Sequence, residues 1–193
     1  MACGAGANTF YMAKKFPNVK FTGIEYDREI LSLCEEKAAN VRLEHGDWYN
    51  VNKDYVGKFN GIVSFQTLSW LSDYKEPLIK LCELEPDWIA LTSLFYEGRM
   101  NFYIKIEDKE QNQPAWGKEE MLCYNIYSLP MIKDLLAEYG YTHFDYTPFE
   151  IDIDIPKPEK PGLGTYTIPT VTGKRLQVSS ALLLPWYFVF ASR

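Results

Sequence analysis

Between Met1 and Tyr96 short apolar runs alternate with amphipathic stretches, and that alternation leaves few folds open. Residues 19–25 (Val-Lys-Phe-Thr-Gly-Ile-Glu), 41–45, 59–65 and 88–95 have the length and apolar content of strands. Residues 9–16, 28–39 and 74–84 carry apolar side chains at helical spacing, with Ile30, Leu31, Leu33, Cys34 and Ala38 in the second stretch and Leu78, Ile79, Leu81 and Cys82 in the third. Strands joined through single helices run parallel, because the right-handed crossover carries the chain back to the sheet in the same direction. The expected fold class is α/β, a Rossmann-like doubly wound and mostly parallel sheet with helices on both faces.

After Tyr96 the rhythm changes. Residues 96–127 are long, charged and aromatic and read as a lid insertion over the ligand edge of the sheet. Residues 128–139 restore a helix that Gly140 stops. Residues 149–155 alternate strictly between apolar and acidic, the pattern of a strand with one wet face, on which Asp152 and Asp154 read as solvated acids. A β-hairpin insertion is expected over 156–182, turning at Thr172-Gly173, and a last strand over 186–191, giving an antiparallel C-terminal finish. The whole of 1–193 reads as a single domain, a size that buries one good core.

Several function classes are excluded at this stage. Four scattered cysteines and two histidines, with no Cys-x-x-Cys pair, make a poor metal inventory, so no metal is expected. A net charge of −6 opposes a phosphate-tracking surface, which makes nucleic acid an unlikely partner. No apolar run approaches the ~20 residues of a membrane span, and no signal peptide is visible. A cytoplasmic location is the expectation.

The chemistry-bearing stretch is Cys3-Gly4-Ala5-Gly6, a glycine turn that runs directly into the first helix. Two glycines one residue apart let main chain approach a ligand closely. A lone Gly-x-Gly is a weak signal, but Glu25 ends the next strand at about the ~20-residue interval at which an acid accepts from ribose hydroxyls. The strand after that ends in Gly46-Asp47-Trp48, a carboxylate able to accept from an exocyclic amine beside an indole able to cover a ring face. Three successive strand ends then describe an adenosine.

This order of motifs resembles the class I S-adenosylmethionine-dependent methyltransferases over nearly the whole chain. Cys3-Gly4-Ala5-Gly6 resembles the second half of that family's first motif, Gly23-Ile24-Glu25 its ribose motif, Gly46-Asp47-Trp48 its adenine motif, and residues 63–70 its fourth strand and loop. The resemblance implies S-adenosyl-L-methionine as cofactor, held by Gly4, Ala5, Gly6, Glu25, Tyr26, Asp47, Trp48 and Gln66, and methyl transfer to a small-molecule acceptor bordered by Trp70 and Tyr96. No catalytic acid or base is implied, since an activated sulfonium methyl asks mainly for alignment; His143, in an expected strand, reads as structural. Tyr103, Trp116 and Tyr124 are further candidates for an aromatic wall.

The family's first strand, with its leading acid, falls before Met1. The expectation is an N-terminally truncated chain with that strand missing, supplied by an upstream segment or by a partner, a second copy forming a homo-oligomer among the options. Two other functions are weighed: a non-catalytic or partner-dependent binding protein with the methyltransferase fold, and an NAD-dependent oxidoreductase. The second wants a third glycine where Thr9 stands.

Overall fold

The structure is a computed structural model, described over residues 1–107, 122–160, 162 and 164–193; Trp116, among the aromatic candidates, lies outside the described residues. The first half is built of α1 (Ala7–Lys15), β1 (Phe21–Glu25), α2 (Arg28–Ser32), β2 (Val41–His45), β3 (Gly61–Phe65), α3 (Lys75–Cys82) and β4 (Trp88–Tyr96). β1 pairs with β2 and β3 with β4, both parallel, from Phe21 opposite Val41 to Glu25 opposite His45 and from Gly61 opposite Trp88 to Phe65 opposite Thr92. The loops that follow these strands leave from their carboxyl ends.

Short strands β5 (Lys105–Ile106), β6 (Leu122–Cys123) and β7 (Tyr127–Ser128) come next, and then α4 (Leu129–Glu138) and β8 (His143–Pro148). β9 (Thr165–Pro169), β10 (Arg175–Ser179) and β11 (Leu182–Leu183) make a small antiparallel sheet, and β12 (Trp186–Ser192) closes the main one. β12 lies antiparallel between β4 and β8, giving the order β3-β4-β12-β8. The mostly parallel beginning and antiparallel finish are those expected from the sequence.

The core forms where two helical stripes meet this sheet. Leu78 and Leu81 of α3 and Ile132 and Leu136 of α4, three or four residues apart, are wholly buried with Ile89, Leu91, Val189 and Ala191. That spacing puts each pair on one helix face. Ser128 caps α4 by accepting from the Met131 amide at 3.3 Å, and Gly140 ends it at φ 87°. On the opposite end of β3, the Trp88 ring lies flat over Gly61, so close that a Cβ there would sit 2.1 Å from ring carbons. Phe190 stacks behind Trp88 at 6.0 Å.

β1 and β3 are not paired with each other among the described residues. Met1–Cys3 runs between their carboxyl ends: the Cys3 amide donates to the Ile24 carbonyl at 3.1 Å and the Met1 amino group to the Val63 carbonyl at 2.7 Å.

Two sequence expectations are corrected. The second helix was expected over 28–39 but ends at Ser32. Asp27 caps it, accepting from Glu29 and Ile30, yet none of its residues is buried and Leu33 is 70% exposed, so its stripe meets no surface that would carry it further. Residues 149–155 form no strand. Two of their acids instead meet cations at the start of β10, Glu150 with Lys174 and Asp154 with Arg175 at 2.8 Å, while Ile153 and Ile155 bond Thr167. No helix among the described residues is long and apolar enough to cross a membrane.

Candidate functional site

The glycine turn is held by left-handed backbone that only glycine adopts without strain. Gly4 has φ 57° and Gly6 φ 91°; the Gly6 amide donates to the Cys3 carbonyl at 3.0 Å, and the Gly6 carbonyl accepts the first helical bond from Phe10 at 2.9 Å. The two glycines do different work. A Cβ at Gly6 would lie 2.8 Å from Leu43 and 3.0 Å from the Phe10 ring, so this residue lets α1 seat on β2. A Cβ at Gly4 would meet nothing within 4 Å, so Gly4 fronts open space, with Ala5 beside it. Beneath the turn, Gly23 leaves room for the Cys3 side chain, whose thiol burial keeps protonated above its ordinary range.

Glu25, the last residue of β1, is 6% exposed, and its carboxylate clasps both neighbouring loops. One oxygen accepts from the Gly4 amide at 2.7 Å and the other from the Asp27 amide at 3.1 Å. Two of the four lone-pair directions of the carboxylate are thereby used, and two are left to accept from something else. Tyr26, 56% exposed, lies roughly parallel to the His45 ring at 6.4 Å.

At the end of β2, the Gly46 amide returns to the Glu25 carbonyl at 2.9 Å, which brings the two strand ends together. Asp47 turns the chain by accepting from the Tyr49 amide at 2.9 Å. A cleft of about 450 Å³ opens here, lined by Ile24, His45, Gly46, Asp47, Asn50 and Tyr55 among others. The Tyr55 hydroxyl donates to Glu44 at 2.5 Å on its wall, and burial together with that bond keeps the phenol protonated. A wider trough of about 640 Å³ lies away from these strand ends, against β9 and β10, with the Asp154–Arg175 pair on its lining.

Trp48 stands differently from the sequence expectation of an indole over a ligand ring. It is 6% exposed within the main core, and its Nε1 donates to the Pro77 carbonyl at 2.7 Å. Its place is beneath the Asp47 turn, which it ties to the first turn of α3.

Gln66, just beyond β3, is exposed and holds φ 58°, uncommon for a residue with a side chain. Thr92 pins it there, accepting from its amide through the carbonyl at 2.7 Å and the hydroxyl at 3.2 Å. Trp70, 40% exposed, sets its ring against Tyr124 at 4.6 Å. Tyr96, also 40% exposed, packs edge-on to Phe102 at 5.6 Å and covers Gly98. The two candidates therefore rest on separate neighbours. Tyr103 stands over Tyr127, and His143, on β8, pairs with Asp145 at 2.8 Å.

A methyltransferase domain family matches residues 1–83, the segment from the glycine turn through α3. Among curated proteins, trans-aconitate 2-methyltransferase of Deinococcus radiodurans is 29% identical over 84 residues, covering 43% of this chain; the chain spans 31% of that relative's length. A SAM-dependent methyltransferase from Methanosarcina mazei superposes with a TM-score of 0.62 over 100% of this chain and 89% of its own, at 14% identity. The chain shares the fold of S-adenosylmethionine-dependent methyltransferases. The N-terminal domain of EvdMO1, solved with SAH bound, matches this methyltransferase fold with a TM-score of 0.61 at 15% identity, covering 100% of the chain and 72% of its own.

Sequence reasoning passed over one residue of this fold. Asn125, 1% exposed, bonds the loop of Trp70 and the strand region near Ile104 at once. An asparagine inside a stretch read as an insertion carries no local signature, because apart from the Tyr127 hydroxyl its partners are main-chain groups more than twenty residues away.

Proposed function

We propose that this chain carries the cofactor-binding and catalytic core of an S-adenosylmethionine-dependent methyltransferase that acts on a small-molecule acceptor. The observation that carries the reading is the Gly4–Glu25 clasp. A buried carboxylate with two unused lone-pair directions stands directly beneath main chain that fronts open space, at the end of β1 and next to the Asp47 turn. That donor and acceptor set suits an adenosine: Glu25 to take ribose hydroxyls, Tyr26 to border the ribose, Asp47 to take the exocyclic amine, and Gly4, Ala5 and Gly6 to admit the chain of the cofactor against bare backbone. Trp48 holds the Asp47 turn from below. Gln66, fixed by Thr92, faces the methionine end, and Trp70 and Tyr96 border the acceptor.

The cofactor, when bound, supplies a sulfonium-activated methyl group. The work of this chain's residues is to orient and enclose, so that an acceptor atom meets that carbon in line and in a site that limits water. No acid or base is assigned. Bond formation at the acceptor and loss of S-adenosylhomocysteine balance without one, and a proton on the acceptor leaves to solvent.

Isothermal titration of the folded chain with S-adenosylmethionine, S-adenosylhomocysteine and NAD tests the reading. Binding of the first two is expected. Binding of NAD alone would replace it with the oxidoreductase reading, and binding of none would leave the fold without the activity.

A further inference from the structure

We infer that Asn125 is a positioning residue for the acceptor loop, holding the backbone on either side of Trp70 while its neighbour Tyr124 holds the Trp70 ring. The Asn125 amide donates to the Ser69 carbonyl at 2.8 Å, and its side-chain Nδ2 donates to the Leu71 carbonyl at 2.9 Å. The main chain before and after Trp70 is thus gripped by one residue. The Tyr127 hydroxyl gives Leu71 a second donor at 2.6 Å and itself accepts from Asn125 Nδ2 at 2.9 Å. Asn125 Oδ1 accepts from the Ile104 amide at 3.0 Å, so the same amide group spans two segments that β4 separates.

The rest of the loop is bound from the sheet. The Ser69 amide donates to Ser93 Oγ of β4 at 2.9 Å, and Trp70 and Leu71 close a 3-10 turn onto Thr67 and Leu68. Only the indole of Trp70 is left to solvent on one side, with Tyr124 on the other. A buried amide using both donors and its acceptor in this way fixes one geometry, because each unmade bond leaves a buried carbonyl or N–H without a partner. The loop and the Ile104 segment accordingly move as one body. The inference rests on the methyl-transfer reading only for what Trp70 faces.

Hydrogen exchange read by mass spectrometry, with Asn125→Ala and Asn125→Asp, separates this role from general support. Alanine removes the side-chain bonds to Leu71 and Ile104 and leaves the main-chain bond to Ser69, and exchange at Trp70, Leu71 and Ile104 is expected to rise together by roughly tenfold. Aspartate keeps the acceptor for Ile104 but turns an oxygen toward the Leu71 carbonyl, so protection is expected to persist at Ile104 and to fail at Trp70 and Leu71. Acrylamide quenching of Trp70, taken as the difference between each variant and the same variant with Trp70→Phe, should rise in both. S-adenosylhomocysteine affinity should move by less than about twofold, since the grip lies beyond the cofactor loops. Should Asn125→Ala not fold, Tyr127→Phe, which removes one of the two Leu71 donors, is expected to loosen 69–71 without touching Ile104. Unchanged exchange at Trp70 and Leu71 in the folded variants, or a loss of cofactor affinity equal to the loss of stability, would overturn the assignment. Failure of the wild-type chain to bind S-adenosylhomocysteine would count against the methyltransferase reading alone, because the exchange pattern is read without ligand.

Discussion

The Gly4 amide donates to the Glu25 carboxylate at 2.7 Å across a sequence separation of twenty-one residues, joining the glycine turn to the end of β1. The same carboxylate holds the Asp27 amide at the start of α2. Glu25 is therefore both a candidate ligand contact and the clasp that shapes the loop in front of it.

Glu25→Ala should weaken S-adenosylhomocysteine binding by roughly 1–3 kcal/mol through loss of charge-assisted bonds, and should cost about 2 kcal/mol of stability because two backbone amides lose their acceptor. Glu25→Gln keeps an acceptor for one of them and should fall between. Titration calorimetry and urea unfolding measure the two effects, and an unchanged dissociation constant would mean that the end of β1 does not meet the ligand.

Gly23→Ala should damage the turn from below. Its Cβ would lie 2.5 Å from Leu43 Cδ2 and 2.9 Å from the Cys3 sulfur, both of which would have to shift. Overpacking of this kind costs about 1–3 kcal/mol. Adding Cys3→Ala should recover part of the loss, with a coupling of at least about 0.5 kcal/mol in a double-mutant cycle; strictly additive effects would show that the thiol does not support the turn.

Trp48→Phe should lower stability by about 1–3 kcal/mol, since the Pro77 carbonyl loses its buried donor, while S-adenosylhomocysteine affinity stays within about twofold. A loss of affinity exceeding tenfold, at unchanged stability, would instead put the indole against the ligand.

Alkaline pH should unfold the protein early. Burial pushes Cys82 and Tyr141 up to about 12, and burial raises Tyr127 as well. Raised acids favour the neutral, folded form: their contribution is complete below the unfolded values and is lost as pH rises through the folded ones. Thermal stability should accordingly hold to about pH 9 and then fall progressively toward pH 12. Tyrosinate absorbance should develop together with unfolding; ionisation of these tyrosines in a still-folded protein at the ordinary phenol value would contradict their burial.

Much of this architecture was legible because strands and helices announce themselves locally. The run from Val41 to His45 is β2 as read, and the helix expected over 128–139 is α4, Leu129–Glu138. What was misread depended on partners distant in sequence. Ile30, Leu31, Cys34 and Ala38 make a sound stripe, but a stripe becomes helix only where a surface receives it, and the helix stops at Ser32. The acids of 149–155 alternate like a strand, yet their alternation matches the cations Lys174 and Arg175 and not a ladder. Within the site, glycine and carboxylate positions could be reasoned from strand ends, whereas the role of Trp48 turns on Pro77 and that of Asn125 on Ser69, Leu71 and Ile104.

The Trp88 ring over Gly61 carries a consequence for how such a sequence can change over time. Any side chain at 61 collides with an indole that Phe190 backs, so the position has no single-step neighbours. Gly61→Ala becomes tolerable only alongside a smaller residue at 88, as in Trp88→Leu, and each change alone passes through a less stable protein. Positions 61 and 88 are thus locked as a pair, and a combinatorial library at the two sites should return correlated solutions where libraries at either site alone return the starting residue.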